Sequence, residues 1–95
     1  MIVIDPPAVP RWGRLWSHLA SDSSYAELHD FALAQGVPGQ GFDRDHYDVP
    51  SEWYDRMVAA GAVPVTSREL VTRLREAGLR RPKGRELRLP EPPAG

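Results

Sequence analysis

The sequence predicts a small single-domain α/β protein with about three short strands and three helices, followed by a disordered, proline-rich basic tail. Short β-branched segments alternate along the chain with apolar-periodic segments that start at capping residues and end at glycine, a pattern typical of α/β domains. Large apolar side chains become scarce after residue 79, where prolines and basic residues dominate. With 95 residues in total, we expect one domain over residues 1–79 and the tail over residues 80–95.

Three segments are predicted to be strands of one parallel sheet: Ile2–Ile4, His46–Val49 and Val63–Thr66. The first is β-branched and ends before two prolines, which cannot continue a ladder. The second is expected to be extended because Pro50 disfavours helical geometry in the residue before it. The third contains Pro64, which indicates an edge strand or a bulge. Residues 6–14 are interpreted as an irregular loop, and residues 14–19 fit either a short helical turn or a strand.

Capping residues and glycines set the bounds of the three predicted helices. The first helix follows a capping box, in which the Ser24 hydroxyl bonds a first-turn amide while Glu27 reaches back to the cap amide. Gly36, Gly61 and Gly78 are expected to end the helices, since glycine favours the left-handed cap conformation. The predicted helices cover about residues 25–35, 52–60 and 67–77, capped by Ser24, Ser51 and Thr66 or Ser67.

Composition and charge limit the classes of function. The chain carries a formal net charge of −1, which divides into +3 for residues 80–95 and −4 for the rest, and a mildly acidic body is not the footprint of a sequence-reading DNA-binding domain. The basic tail is either a solvated terminus or a contact for nucleic acid or an acidic partner. The chain has no cysteine, which excludes disulfides and thiolate metal sites. We find no membrane-spanning stretch and expect a cytoplasmic protein; three tryptophans and an edge strand are compatible with a homodimer.

The segment Asp45-His46-Tyr47-Asp48 is the richest in ligand and acid–base chemistry. In an extended conformation alternate residues share a face, so His46 and Asp48 are predicted to point one way, and Asp45 and Tyr47 toward the packing side. Imidazole and carboxylate are common ligands of divalent metals, and the same pair suits acid–base chemistry in which Asp48 orients His46. The alternative is a buried polar turn whose side chains bond only local groups.

Three further residues are candidates by position. Asp5 follows the first strand, and ligands of open α/β sheets bind beyond the carboxyl ends of strands. His18 and Asp22 are four residues apart and would share a face if their segment is helical. The predicted metal ligands are Asp5, Asp22, His46 and Asp48, the predicted catalytic residues are His18, His46 and Asp48, and the cofactor is a divalent metal, Mg, Mn or Zn. Each also has a structural alternative, such as a strand-ending turn for Asp5 and simple packing for His18.

Arg14 and Arg68 are the predicted substrate-binding residues. Arg68 lies at the start of the third predicted helix, where anions favour the helix N-terminus. Either arginine could instead be solvated or ion-paired. The sequence has no glycine-rich phosphate loop, and Lys83 is its only lysine, so a P-loop is excluded.

Five segments carry a resemblance to a known family: Gly13–Leu19, Ser21–Asp22, Glu27–Ala32, Asp45–Pro50 and Arg68–Val71. Together, in this order and spacing, they resemble a small family of bacterial and phage proteins, domain of unknown function 4031, over roughly residues 2–79. The resemblance implies no established activity. It therefore supplies a set of positions rather than a mechanism.

The sequence leads to two functional hypotheses from different classes. In the first, the protein is a small divalent-metal-dependent hydrolase acting on a phosphoester or nucleotide, because carboxylates and imidazoles cluster near predicted strand ends. In the second, it is a non-catalytic binding module in which the Asp-His-Tyr-Asp segment is structural, and an aromatic surface or the basic tail recruits a protein or nucleic acid. Convergence of His18, His46 and Asp48 within ligand reach would favour the first.

Overall fold

A mixed six-stranded sheet with three helices forms the protein in a computed structural model, which describes residues 1–82. The strands are β1 (Ile2–Ile4), β2 (Val9–Arg11), β3 (Arg14–Ser21), β4 (Phe42–Asp43), β5 (His46–Pro50) and β6 (Val63–Pro64). The helices are α1 (Tyr25–Ala34), α2 (Tyr54–Ala59) and α3 (Ser67–Glu76). The predicted α/β class and the three helices are confirmed, whereas the sheet has six strands instead of three and is not parallel.

The central strand of the sheet is β3, and the path of neighbours is β4-β5-β3-β1-β6. Strands β1 and β2 follow each other along one side of β3, and β5 pairs with the other side; all three are antiparallel to β3. Only β1 and β6 pair in parallel. The predicted parallel sheet is wrong because β3 inserts between β1 and β5, which would otherwise have to be neighbours.

A tight hairpin explains why the predicted loop over residues 6–14 is partly a strand. Trp12 and Gly13 form the turn between β2 and β3 with φ angles of 52° and 75°, the left-handed conformation that two-residue hairpins require. Beyond the turn, β3 runs without a break to Ser21. The helical alternative for residues 14–19 is therefore wrong, and so is the expectation that His18 and Asp22 share a helix face.

Helix starts agree with the sequence at two positions of three. The Ser24 and Thr66 hydroxyls each accept a hydrogen bond of 3.0 Å from the amide three residues later, at Glu27 and Glu69. Ser51, however, opens a short 3₁₀ turn, and α2 starts only at Tyr54 without a side-chain cap. The reciprocal half of the capping box is also absent, because the Ser24 amide bonds the Ser21 hydroxyl instead of Glu27.

The two faces of the sheet are covered unequally. Helices α1 and α2 pack on one face, where Leu19, Leu28, Val49 and Met57 are fully buried in one apolar cluster. Helix α3 packs on the opposite face over a smaller cluster of four buried residues: Val3, Ala20, Leu70 and Leu74. Beyond that cluster, β3 and β5 present mainly polar and aromatic side chains on this face, among them Trp16, His18 and Asp48, so this part of the second face is where a site can lie.

The chain that leaves α3 returns to the sheet. Arg80 and the amide of Arg81 both contact the carboxylate of Asp45, so residues 80–82 pack against the domain although they were assigned to the tail. The remainder of the predicted disordered tail, residues 83–95, lies outside the described residues. Within residues 1–82, no helix is long and apolar enough to cross a membrane.

Candidate metal centre

Two adjacent antiparallel strands bring His18, His46 and Asp48 together. His18 of β3 is the register partner of Asp48 of β5, and His46, two residues before Asp48, projects from the same face. One ligand atom from each of the three residues lies within 4.8 Å of the others. The two imidazole rings meet edge to face with centroids 4.8 Å apart. The three residues predicted to be catalytic therefore converge. His18 joins the other two because the register of β3 and β5 places it opposite Asp48.

His18 is held from behind by Asp5. The buried Asp5 carboxylate accepts from the His18 ring Nδ1 at 2.8 Å and from the His18 backbone amide at 2.6 Å. The Ser67 hydroxyl, at the start of α3, donates to the same carboxylate at 2.7 Å. Burial opposes the charge, but these hydrogen bonds hold the pKa of Asp5 below its ordinary value. In a neutral His18, an ionised Asp5 favours the tautomer with the proton on Nδ1, which leaves the lone pair on Nε2.

His46 lies between two carboxylates. Its Nδ1 is 2.8 Å from Asp45 Oδ1, and its Nε2 is 3.2 Å from Asp48 Oδ1. Burial disfavours the charged ring, yet hydrogen bonds and charge from Asp45 and Asp48 outweigh it and raise the pKa of His46 to about 9. Without a metal, His46 is therefore a cation at neutral pH. An ion on Nε2 has to displace one proton, which couples binding to pH.

The position of Asp45 differs from the prediction, which placed its side chain with Tyr47 on the packing side of the strand. It lies in the two-residue turn between β4 and β5, where Arg44 has a φ of 61°, and this turn breaks the strict alternation. Its carboxylate turns back to His46, is fully buried, and accepts from Arg80 Nη1 at 3.1 Å and the Arg81 amide at 2.7 Å. Desolvation is outweighed by these partners, which lower the pKa of Asp45. Tyr47, in contrast, faces the core as predicted.

The donor set fits a divalent ion. Catalytic zinc sites use three protein ligands, often two histidines and one carboxylate, and metal-bound histidines usually donate their second ring nitrogen to a carboxylate. Here both imidazoles already have that carboxylate, Asp5 for His18 and Asp45 for His46. Ligands on a tetrahedral ion at ~2.1 Å stand about 3.4 Å apart, so the three donors, which lie within 4.8 Å of one another, would close in slightly on binding.

Asp48 completes the cluster at its open side. Its second oxygen lies 3.9 Å from Arg11 Nη2. Burial raises the pKa of Asp48, but the hydrogen bond and charge of His46 and the charge of Arg11 outweigh it, so the net shift is downward. The carboxylate is therefore ionised and available as a ligand. Two concave regions adjoin the cluster: a small cavity of about 170 Å³ lined by His18, His46 and α3, and a larger cleft lined in part by Asp48.

Four predicted site residues are not among the three clustered residues. Asp22 binds Arg73 and the amino terminus, each at 3.0 Å, because β3 carries it to the far end of the strand. Arg68 is exposed on the first turn of α3 and lines neither the cavity nor the cleft. Arg14 lines the cleft that Asp48 also lines and lies 3.4 Å from Glu52, so it forms an ion pair there. Asp5 contacts His18 from behind and is not one of the three converging donors.

Sequence reasoning missed four residues that shape the site: Arg11, Asp45, Ser67 and Arg80. Asp45 and Arg80 are distant in sequence, and nothing local announces their contact. Arg11 is brought to the site by the β2–β3 hairpin. Trp12-Gly13 between two extended segments was the sequence signal that could have predicted this hairpin. Ser67 was considered only as a helix cap, and its neighbour Thr66 takes that role.

Comparison with known proteins places the chain in a family. The model of the family described as "Protein of unknown function (DUF4031)" matches residues 2–77, and the chain belongs to this family. The matched segment contains all three cluster residues and the two carboxylates behind them. No curated protein and no solved structure matches the chain.

Proposed function

We propose that this member of the DUF4031 family is a small divalent-metal-dependent hydrolase that acts on a phosphoester, with a nucleotide as the substrate class. The observation that carries the proposal is the convergence of His18, His46 and Asp48 within 4.8 Å, each imidazole backed by a buried carboxylate. Two imidazoles and one carboxylate favour Zn or Mn over Mg, which prefers oxygen ligands.

Residues behind the two imidazoles would hold them in place for binding a divalent ion. A divalent ion held there would make water nucleophilic near neutral pH and withdraw charge from a phosphoryl oxygen. Asp5 and Asp45 fix the ring orientation and the proton position of His18 and His46. Because the carboxylates are ionised and buried, they also offset the positive charge that the ion adds to a partly desolvated site.

Basic side chains around the cluster support an anionic substrate. Arg11 and Arg14 line the larger cleft next to Asp48, and Arg44 and Arg80 line the small cavity next to His18 and His46. Guanidinium groups recognise phosphate oxygens in a bidentate manner and keep their charge at all physiological pH values. A phosphoester bound at the cluster would therefore meet cationic side chains on both sides.

One observation favours the alternative of a non-catalytic binding module. His46 has a carboxylate partner on each ring nitrogen, and such an ion-paired triad satisfies itself without any metal. In that case the Asp45–Asp48 segment would be a folding device. Replacing His46 would then lower stability and change no ligand affinity.

Metal titration separates the two functions. We expect the protein, stripped with a chelator, to bind about one Zn²⁺ or Mn²⁺ per chain by isothermal titration calorimetry. The variants His18→Ala, His46→Ala and Asp48→Asn should each weaken binding by more than about 100-fold, since each removes one of three ligands. His29→Ala and Asp30→Asn are matched controls, because both residues lie on α1 outside the cluster. If neither metal binds, or the cluster variants bind like the controls, the hydrolase is excluded.

Activity is the second arm of the same test. Hydrolysis of bis(p-nitrophenyl) phosphate and p-nitrophenyl phosphate should require added metal and should be lost in His46→Ala. A protein that binds metal through the three residues but hydrolyses neither these esters nor a panel of nucleotides would contradict the proposed chemistry while leaving the metal centre in place.

A further inference from the structure

The larger cleft beside Asp48 has the size and lining of a small-molecule site. Its volume is about 520 Å³, within the range of roughly 300–1,000 Å³ that ligand pockets occupy. Its lining combines Asp48 and Trp16 with Phe42 and Trp53, which pack against the main core. Its walls come from the β2–β3 hairpin, the segment before β4 and the end of β5.

All three tryptophans of the chain line this one cleft. Trp12, Trp16 and Trp53 come from two distant parts of the sequence, so the fold rather than chain proximity gathers them. Trp12 and Trp16 meet edge to face with centroids 5.7 Å apart. Trp53 is partly buried against the main core, and Trp16 is fixed by its indole N–H, which donates to the Arg11 carbonyl at 2.9 Å.

Trp12 is exposed at a strained position. Its side chain is 75% exposed, and its φ of 52° is a conformation that costs a non-glycine residue on the order of 1–2 kcal/mol. Hairpin turns of this kind normally use Asn, Asp or Gly. The ring contacts Trp16 and the Arg11 guanidinium, but most of its surface stays in water. It extends the wall of the cleft.

Two guanidinium groups accompany the aromatic rings, and the same lining contains the carboxylates of Asp43 and Asp48. The Arg11 guanidinium lies 4.8 Å from the Trp12 ring centroid, and the Arg14 guanidinium lies 5.9 Å from that of Trp16. Arg11 also approaches Asp48 to 3.9 Å, so this guanidinium lies between the Trp12 ring and a carboxylate of the candidate cluster. The cleft therefore combines exposed aromatic rings with cations that lie against them.

We propose that this cleft binds a mononucleotide, with the base stacked on Trp12 and the phosphate between Arg11, Arg14 and the His18–His46–Asp48 cluster. A heteroaromatic ring joined to an anion matches both halves of the lining, since nucleobases stack on aromatic side chains and guanidinium groups pair with phosphate. The placement of the phosphate at the cluster rests on the proposed hydrolase function. The stacking of the base on Trp12 is independent of that function, because it needs no metal.

The test measures binding without metal, so that its result is independent of catalysis. In the presence of a chelator, the three indole N–H resonances of the ¹⁵N-labelled protein report on the cleft alone, because the chain has no tryptophan elsewhere. Adenosine 5′-monophosphate should shift these resonances, and adenosine and ribose 5-phosphate should each bind at least several-fold more weakly. Ribose 5-phosphate binding as tightly as the nucleotide would overturn the stacking of the base.

A matched pair of variants assigns the effect to Trp12. Trp12→Ala should weaken nucleotide binding roughly tenfold, the loss expected for one base–aromatic stack, without lowering the melting temperature. Leu33→Ala removes a similarly exposed apolar side chain, 79% exposed on α1, and should change neither quantity. Equal binding by Trp12→Ala and the parent protein would overturn the proposal.

The two proposals fail in distinguishable ways. Nucleotide binding without metal binding would reject the hydrolase and keep the cleft. Metal binding and ester hydrolysis without indole shifts would reject the cleft and keep the hydrolase. A ten-nucleotide single strand that binds much more tightly than the monomer would overturn the assignment of a mononucleotide and identify a strand-binding surface.

Discussion

The two faces of the sheet have the same backbone and opposite chemistry. On the face under α1 and α2, Leu19 of β3 and Val49 of β5 are apolar and fully buried. On the face under α3, the same two strands present His18, His46 and Asp48. Alternation along each strand places a core residue and an ionisable residue next to each other in sequence and on opposite sides of the sheet.

The difference shows how so small a domain keeps ionisable groups packed. The first face supplies most of the apolar burial, so the second face does not need α3 to cover it completely. Where α3 stops, buried carboxylates are neutralised by imidazole and arginine partners instead of by water. Stability and chemistry are therefore assigned to different sides of the same strands, and substitutions on the two sides should have separable effects.

The largest effect should come from the covered face. Leu28→Ala removes a fully buried side chain of α1 and should lower the free energy of unfolding by about 2–5 kcal/mol. Urea denaturation followed by circular dichroism measures this loss. Zn²⁺ affinity of the folded variant should match the parent protein, and a parallel loss of affinity would contradict the separation of the two faces.

The pH dependence of stability should come from the other face. The pKa of His46 is raised to about 9, so its ion pairs stabilise the metal-free protein fully below the ordinary value near 6.5, and this contribution is lost as pH rises through 9. The change is on the order of 3 kcal/mol. Melting temperatures measured in chelator from pH 6 to 10 should fall in this window, and the fall should be smaller in His46→Gln. An identical fall in the variant would assign it to other groups, such as the amino terminus.

A smaller effect should follow from the carboxylates behind the two imidazoles. Asp45→Asn and Asp5→Asn keep the shape of the side chain but weaken its hold on His46 and His18, and each should reduce Zn²⁺ affinity by about 10–100-fold. Asp22→Asn is the control, because its carboxylate binds Arg73 far along β3. Calorimetry in one buffer at one pH compares the three variants. Equal affinity in all three would show that the supporting carboxylates are structural.

Local signals predicted most helices but less of the sheet. Caps and glycines define α1 and α3 because these interactions lie within a few residues. The strand β3 forms because it pairs with three other strands, β1, β2 and β5. The residues next to His18 in the sequence do not reveal these partners. The same reason explains the site: the His46–Asp48 alternation was predictable, whereas the register that brings His18 opposite Asp48 was only a hypothesis. The contact of Asp45 with His46 was not predicted, because the left-handed turn residue before Asp45 interrupts the alternation of side chains.

The ends of the sheet have a consequence for self-association. Among residues 1–82, the strands with an unpaired side are β2, β4 and β6, which are two or three residues long. Two of them contain a proline, Pro10 and Pro64, which lacks the amide needed to extend a ladder. Such short edges offer little template for strand addition by a second copy, which protects the described sheet against edge-to-edge aggregation. Within residues 1–82, a face of the sheet is therefore a better surface for self-association than these edges.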